Sequence, residues 1–591
     1  MRRARRGGRR RGDARPRARR RALREIRERQ RRRHLRRGRA ISRPPCAHRP
    51  AGAGGQSPPL VHIFLVGPPG IGKSSVAPIL AHHFGAAVIE LDREIQRRAG
   101  KPNKDLIEQD GMDRFRDVES SVLIRLARTP SWVVVDTGGG APIREDNRAL
   151  MRSLGLIVGL RGSLDRVASG IAATQAKRPY QNVAPRDRAR RVLQERKSAY
   201  ADTDVTFDVD GATVDETARA IAAWLVSARG VRIDVADSER ASPCRVLIRA
   251  GLLDHVGPHL ADLGWRGRVA VVSDAATASR YEAAVLRSLD AVGLGSVGIR
   301  VPGGERGKRL SVAARLWDEL AREGIGRDGG ILALGGGSVG DVAGFVAATY
   351  LRGIRVAQVP TTLLGMADAS IGGKTAIDIA AGKNLVGAFH SPDAVFADVT
   401  VLATLPARQL SSGLAEVTKC AFLADRESVE QLDRSLENVR AGDLGAILAA
   451  VTIAAEVKGG IVSQDPRESG LRELLNFGHT MGHAYEAASG YRVTHGEAVA
   501  IGMVYATALA ERLELTAPTL RPELENLLDR AALPKRARLP KAVWSYVLRD
   551  KKARAGKLRW ILPRRIGRFS EVTDVGESAL RAAARVVERA A

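Results

Sequence analysis

The chain has 591 residues, too many for one hydrophobic core, so two or more domains are expected. An apolar fraction of 44% and 61 glycines suit α/β domains; no unbroken apolar run approaches the roughly 18 residues of a membrane span, and Cys46, Cys244 and Cys420, far apart and without a CxxC, exclude a disulfide framework and suit a reducing cytoplasm. The net charge of +30 would suggest nucleic acid, but residues 1 to 50 hold 23 Arg against Asp13, Glu25 and Glu28 and carry +20 of it, so the basicity belongs mostly to one end.

Residues 1–56 are Arg-rich, then Pro/Gly-rich, and read as a disordered tail. They lack aromatics for base stacking and the apolar core of a signal peptide, so non-specific binding of phosphate polymers is the most such an arm offers. The favoured reading is a dispensable tail, or sequence upstream of the true start, since no Met lies between Met1 and Met112.

Residues 57–228 form the first expected domain. The apolar run VHIFLV (61–66) reads as a buried parallel strand, and GPPGIGKSS follows it directly. Gly67, Gly72, Lys73 and Ser74 fit GxxxxGK[ST], a loop whose N–H groups cradle phosphates while the lysine reaches them and the hydroxyl holds magnesium; Gly70, Ile71 and Ser75 belong to the same ATP-binding stretch. Pro78 falls inside the helix that follows, where it removes a hydrogen bond. VIELDREIQRRAG (88–100), QDGMDRFRDVES (109–120) and WVVVDTGGGAPIREDNR (132–148) come next, and with the P-loop they resemble shikimate kinase. The resemblance implies Asp92 on substrate hydroxyls, Arg116 and Arg196 on the carboxylate, Gly139 in a tight turn beside the substrate, and Arg178 of KRPYQ as a lid arginine. Glu90 stands where the family usually has an aspartate, and similar domains serve as ligand-binding modules in regulators, so a regulatory module is the alternative to an active kinase.

Residues 229–243 are polar and Pro-terminated and read as a linker. From 244 to 410 a new α/β pattern is expected. RVLIRAG and RVAVVSD read as strands, with Asp274 at a strand end, where it can meet a ribose hydroxyl or simply make a turn. VPGGERGKRL carries Gly303, Gly304, Glu305 and Lys308. In GGILALGGGSVGDVAGF a strand is followed by Gly335 to Gly337, Ser338, Val339, Gly340 and Asp341, the arrangement that brings backbone against a pyrophosphate at a helix N-terminus. VPTTLLGMADASIGGKTAIDIAAGKNLVGAF places Thr361, Thr362, Asp368, Lys374, Lys383 and Asn384 among small and apolar residues, where lysines call for anionic partners.

Residues 411–591 read as mainly helical. SSGLAEVTKCAFLA (411–424) carries Glu416 and Lys419 three apart, and LRELLNFGHTMGHAYEAASGYRVTHGE (471–497) carries His479 and His483 four apart on one helical face, with His495 after a loop. Arg472 and Asn476, seven and three positions before His479, are expected on the same helical face, giving a surface for an anionic, oxygen-rich substrate. Three imidazoles so close ask for a metal, and zinc at a catalytic site takes about three protein ligands with one position open.

GLAEVTK, NFGHTMGH and HGEAVAIGM together resemble 3-dehydroquinate synthase. The resemblance implies Glu416, His479 and His495 as ligands of zinc or cobalt, with Asp368, Lys374, Asn384, Lys419, Lys458, Arg472, Asn476, His483, Arg352 and one of Lys551 and Lys552 around the substrate. It assigns NAD to Asp274, Gly303, Gly304, Glu305, Lys308, Gly337 to Asp341, Thr361, Thr362, Lys374, Lys383 and Val401, Leu402, Ala403 and Thr404. The architecture it implies is α/β: a P-loop kinase domain with a parallel sheet and flanking helices, then a Rossmann-like NAD domain, then a mainly helical metal-binding domain. The activities are cyclisation of DAHP to 3-dehydroquinate with loss of phosphate, and phosphorylation of shikimate by ATP with Mg2+, in a cytoplasmic homodimer joined through the synthase half. A related sugar phosphate cyclase, or a zinc polyol dehydrogenase, is the alternative for the second half.

Overall fold

The computed structural model describes residues 39–41, 62–126, 132–175, 183–238, 240–547 and 558–589. Arg178, Lys551 and Lys552 lie outside the described residues, as does nearly all of 1–56. Within that N-terminal stretch, Arg39–Ile41 (β1) forms a strand paired antiparallel with Arg568–Val572, against the expectation of disorder throughout.

The first half is a wholly parallel sheet of His62–Val66 (β2), Ala87–Glu90 (β3), Val133–Asp136 (β4), Gly155–Arg161 (β5) and Val205–Asp208 (β6), five strands in the order β3-β4-β2-β5-β6. The HIFLV run is fully buried because it lies at the sheet centre with helices on both faces. Its C-terminal end feeds the glycine-rich loop and Lys73–Phe84 (α1). Asn103–Leu126 (α2) and Val214–Trp224 (α3) flank the sheet.

The second half begins earlier than the sequence suggests. Val231–Val235 (β7), placed in a linker by its polar neighbours, is the edge strand of a seven-stranded sheet, antiparallel to Cys244–Arg249 (β8). The other strands, all parallel, are Val269–Asp274 (β9), Ser296–Val301 (β10), Gly330–Gly335 (β11), Arg355–Pro360 (β12) and Ala394–Asp398 (β15), giving the order β10-β9-β11-β12-β15-β8-β7. Gly337–Thr349 (α4) leaves β11, and a separate hairpin, Lys374–Ile379 (β13) with Gly382–Phe389 (β14), packs on α4.

The helical part is Ala407–Ala424 (α5), Arg426–Arg440 (α6), Leu444–Gln464 (α7), His479–Ala488 (α8) and His495–Arg512 (α9). It also holds a small sheet of Trp560–Arg565 (β16) and Arg568–Val572 (β17). Helix α7 has no unbroken apolar run of membrane-spanning length, but an 18-residue stretch within its 21 residues has a mean hydropathy of 1.6, enough by length and composition to span a membrane. However, 89% of that stretch is buried inside the protein, which explains its composition as core packing.

The halves share a seam. Phe84, at the end of α1, joins Leu432 and Leu436 of α6 in one continuous buried cluster. Gln431 donates to the Phe84 carbonyl at 3.1 Å and Arg434 to that of Gly85 at 2.9 Å. His83 Nδ1 lies 3.0 Å from Asp443, whose other carboxylate oxygen caps α7 by accepting from Ala446 N–H at 2.8 Å.

Candidate active sites

In the first half, the P-loop turns on Gly70 and Gly72, both at positive φ, and α1 opens at Lys73. Lys73 is buried, and its ammonium donates to the loop's own Gly67 and Pro68 carbonyls at 2.9 and 3.0 Å. Burial lowers its pKa against the pull of Asp136 and Asp92, which suits an ammonium that a phosphate can capture. Ser74 Oγ donates to Asp136 Oδ2 at 2.5 Å, and Asp136 Oδ1 accepts from Gly138 N–H at 3.0 Å. Sequence reasoning missed Asp136, at the end of β4; its position after the VVV run, on the strand beside the P-loop strand, was the available signal.

The Gly138 to Gly140 turn is where the other candidates meet. A side chain on Gly138 would come within 3.3 Å of the Asp92 carboxylate, and one on Gly140 within 2.1 Å of the Arg116 guanidinium. Arg196 and Tyr200 both donate to the Gly139 carbonyl at 2.7 Å. Arg116 is braced by the buried Glu119 through bonds of 2.8 and 2.9 Å. Asp92, Arg116, Gly139 and Arg196 are thus brought together opposite the P-loop. Glu90 instead pairs with exposed Arg93 at 2.9 Å.

In the second half the nucleotide candidates gather at the C-terminal ends of β9, β11 and β12, the crevice where parallel sheets bind ligands. The glycine loop enters α4 directly, and Thr361 N–H bonds the Gly335 carbonyl at 3.0 Å, bringing β11 and β12 ends together. Lys308 is buried between Asp341, at 2.7 Å, and Asn384. Lys383 reaches Glu305 at 3.3 Å, and Thr404 is bound to Tyr281. The Asp274 carboxylate serves the fold, capping the next helix by accepting from Ala276 and Thr277 N–H at 3.0 Å.

The helical part supplies the metal candidates. Glu416 and Lys419 are at 0% and 1% exposure on α5 and form an ion pair. His479 opens α8 and His495 opens α9, and Glu416 Oε1 lies 3.5 and 3.3 Å from their Nε2 atoms. The donor nitrogens of His479, His483 and His495 lie within 4.8 Å of one another. The set fits zinc: ligands about 2.0–2.1 Å from a tetrahedral centre stand about 3.3 Å apart, which is the Glu416 to His495 separation. Both Glu416 carboxylate oxygens, moreover, are buried without a hydrogen-bond partner of good geometry. Burial and the nearby Lys419 ammonium push the His479 imidazole well below its usual range, keeping it a neutral donor. For His495 burial acts in the same direction, but the Glu416 and Glu486 carboxylates outweigh it and carry it up to about 10.

Arg472 and Asn476 are not on the histidine helix. Leu471–Asn476 is a separate 3-10 turn, and the chain reverses at Gly478, whose φ of 80° and close approach to Met503 and Val499 exclude a side chain. The reversal still turns these residues to one cleft. Arg472, 1% exposed, donates to the Gly372 carbonyl at 2.8 Å, and Asn476 donates to Glu468 at 3.1 Å. Lys374 pairs with the same Glu468 at 2.5 Å. Lys458 pairs with Asp368 at 2.6 Å; burial opposes ionisation of that carboxyl, yet the Lys458 and Lys419 cations hold it down at about 2. Arg352 is exposed on the turn before β12 and, among the described residues, shares no hydrogen bond or ion pair with this group. Glu468 and Glu486, which bridge candidate residues, were missed because only the tertiary fold brings their partners in.

Family models described as 3-dehydroquinate synthase N-terminal and C-terminal match residues 298–412 and 413–553, and one described as shikimate kinase matches 69–226. The 3-dehydroquinate synthases of Symbiobacterium thermophilum and Gloeobacter violaceus are each 43% identical to this chain, over 344 and 340 residues. The matches span 57% of this chain and 95% and 94% of theirs. Among solved structures, 2-deoxy-scyllo-inosose synthase complexed with carbaglucose-6-phosphate, NAD+ and Co2+ superposes with a TM-score of 0.55 at 25% identity, covering 59% of this chain and 98% of that one. The 2-epi-5-epi-valiolone synthase of Streptomyces hygroscopicus, with NAD+ and Zn2+ bound, gives 0.53 at 28%, covering 60% and 99%.

Proposed function

The chain belongs to the 3-dehydroquinate synthase family and carries a shikimate kinase domain ahead of it, and from that premise we propose how its residues divide the work of a bifunctional shikimate-pathway enzyme. The second half converts DAHP to 3-dehydroquinate and phosphate, and the first transfers the ATP γ-phosphoryl group to the 3-hydroxyl of shikimate. The observation that carries the synthase assignment is the buried Glu416 carboxylate facing His479 and His495 in the same cleft as Lys458 and Arg472.

Glu416, His479 and His495 would hold the zinc or cobalt ion, and the crevice around Gly337 to Asp341, Lys308 and Lys383 would hold NAD. When bound, the ion acidifies the substrate hydroxyl and NAD takes and returns its hydride, so that no NADH accumulates. The chain's own residues do the rest. Lys374, Lys458, Arg472 and Asn476 fix the dianionic phosphate and the carboxylate, so that Lys374 and Asn476 exchange Glu468 for substrate oxygens. His483, the imidazole of the three outside ion-pair distance of Glu416, is placed to take and return a proton at a substrate hydroxyl. Asp368 keeps Lys458 charged and aimed.

In the kinase, Lys73 would leave the loop carbonyls for the ATP phosphates, with Ser74 and Asp136 as the Mg2+ site. Asp92 would accept the proton of the attacking hydroxyl while Arg116 and Arg196 clasp the carboxylate. The substrates are small molecules. We further propose a homodimer through the synthase half.

The test is phosphate release from DAHP by the purified protein, with and without a chelator, identifying the product by mass. Metal-dependent release of phosphate with 3-dehydroquinate formed and no net NADH is expected. A zinc-loaded, folded protein that forms another carbocycle, or accumulates NADH, would overturn the assignment.

A further inference from the structure

Glu486 lies on α8, three residues past His483, and its two carboxylate oxygens face different partners. Oε1 accepts from Lys383 Nζ at 3.2 Å, and Oε2 lies 3.4 Å from His495 Nδ1. Lys383 comes from β14, beside the nucleotide crevice, where its ammonium also meets Glu305 at 3.3 Å and the face of Tyr491 at 3.9 Å. His495 presents its other nitrogen, Nε2, to Glu416. One carboxylate, 14% exposed, therefore stands between a cation of the α/β part and an imidazole of the helical part. A carboxylate on Nδ1–H of a ligating imidazole fixes the tautomer, leaves the Nε2 lone pair for the metal and strengthens it as a donor.

We propose that Glu486 is a positioning residue that couples metal affinity to dinucleotide binding, a proposal that rests on the reading of His495 as a ligand and Lys383 as a dinucleotide contact. When a dinucleotide phosphate takes the Lys383 ammonium, Glu486 loses the cation that shares its charge, and that charge falls wholly on His495 Nδ1–H. The metal is then held more tightly with the dinucleotide in place, and by reciprocity the dinucleotide more tightly with the metal in place. The two ends of the Glu486 to Lys383 pair thus act in opposite directions: losing the carboxylate weakens the metal site, and losing the lysine strengthens it. An ion pair that only held two elements together would weaken both.

The experiment is a zinc titration of metal-free protein against a chromophoric chelator, with and without saturating NAD, for wild type, Glu486→Gln and Lys383→Met, with circular dichroism as the check on folding. For wild type, NAD is expected to raise zinc affinity by about 5-fold or more. Glu486→Gln is expected to bind zinc roughly 10-fold or more weakly, with no NAD dependence. Lys383→Met is expected to bind zinc without NAD as tightly as wild type binds it with NAD. Unchanged zinc affinity in Glu486→Gln, or weakened affinity in Lys383→Met, overturns the coupling, and if wild type still forms 3-dehydroquinate the family reaction stands. A folded wild type that binds no zinc overturns both.

Discussion

The seam between the two halves makes a prediction that one methyl group can test. Gly85 ends α1 at φ 61°, and an added Cβ would lie 2.5 Å from the Gln431 carbonyl oxygen and 2.8 Å from Ser435 Cβ, both on α6 of the synthase half. The carbonyl is backbone inside a helix and cannot rotate away. Gly85→Ala therefore meets left-handed backbone strain of roughly 1 kcal/mol and an overpacking cost of about 1–3 kcal/mol. Gly100 is the control: it ends its own helix at φ 69° with nothing within 4 Å of the added atom, so Gly100→Ala carries the backbone term alone. At about 2–4 °C for each kcal/mol in domains of this size, calorimetry should show Gly85→Ala lowering Tm by roughly 4–16 °C and Gly100→Ala by roughly 2–4 °C. Protease nicking near residue 85 should accelerate in the first variant only. Equal Tm shifts for both would refute the reasoning, because the excess comes entirely from contact with α6.

Lys73→Met should lower shikimate-dependent ADP formation by roughly 10²–10³-fold and leave phosphate release from DAHP within error of wild type; parallel loss of both activities would contradict the separate assignment of the two sites. Burial pushes the Cys244 and Cys420 thiols up to about 12, and that shift favours the neutral form at every pH below it. At pH 8 each should be thiolate at only about one part in 10⁴, so mass spectrometry should find both unalkylated by iodoacetamide in the native protein and modified in denaturant; prompt native alkylation would contradict their burial.

The elements whose chemistry is local were legible in the sequence. GxxxxGKS requires its own loop, and an apolar run followed by glycines and a helix requires a strand-to-helix turn, so β2, α1, β11 and α4 stand where the residues put them. The spacing of His479 and His483, with Glu416 and Lys419 three apart, likewise placed the metal-ligand candidates on helices. What escaped was non-local. Glu468 holds Lys374 across 94 positions and Glu486 holds Lys383 across 103, and neither carboxylate differs in sequence from a solvated one. Gly478 broke the helix assumed to run from Arg472 to His479 because the constraint comes from Met503 packing against it. Strand β7 was hidden because Arg232 and Asp234 pair with each other on an edge strand, giving the run a polar appearance.

That edge strand decides where the molecule can be divided. A fragment beginning before Val231 keeps β7 on the outer side of β8, whereas one beginning at Cys244 leaves β8 paired with β15 alone and bares the N–H and C=O groups along its outer edge. Such a border invites pairing between molecules. The stretch joining the two enzymes is therefore not a spacer whose length can be varied at will; it is the hem of the second enzyme, and gene fragments that treat it as dispensable would release a self-adhesive protein.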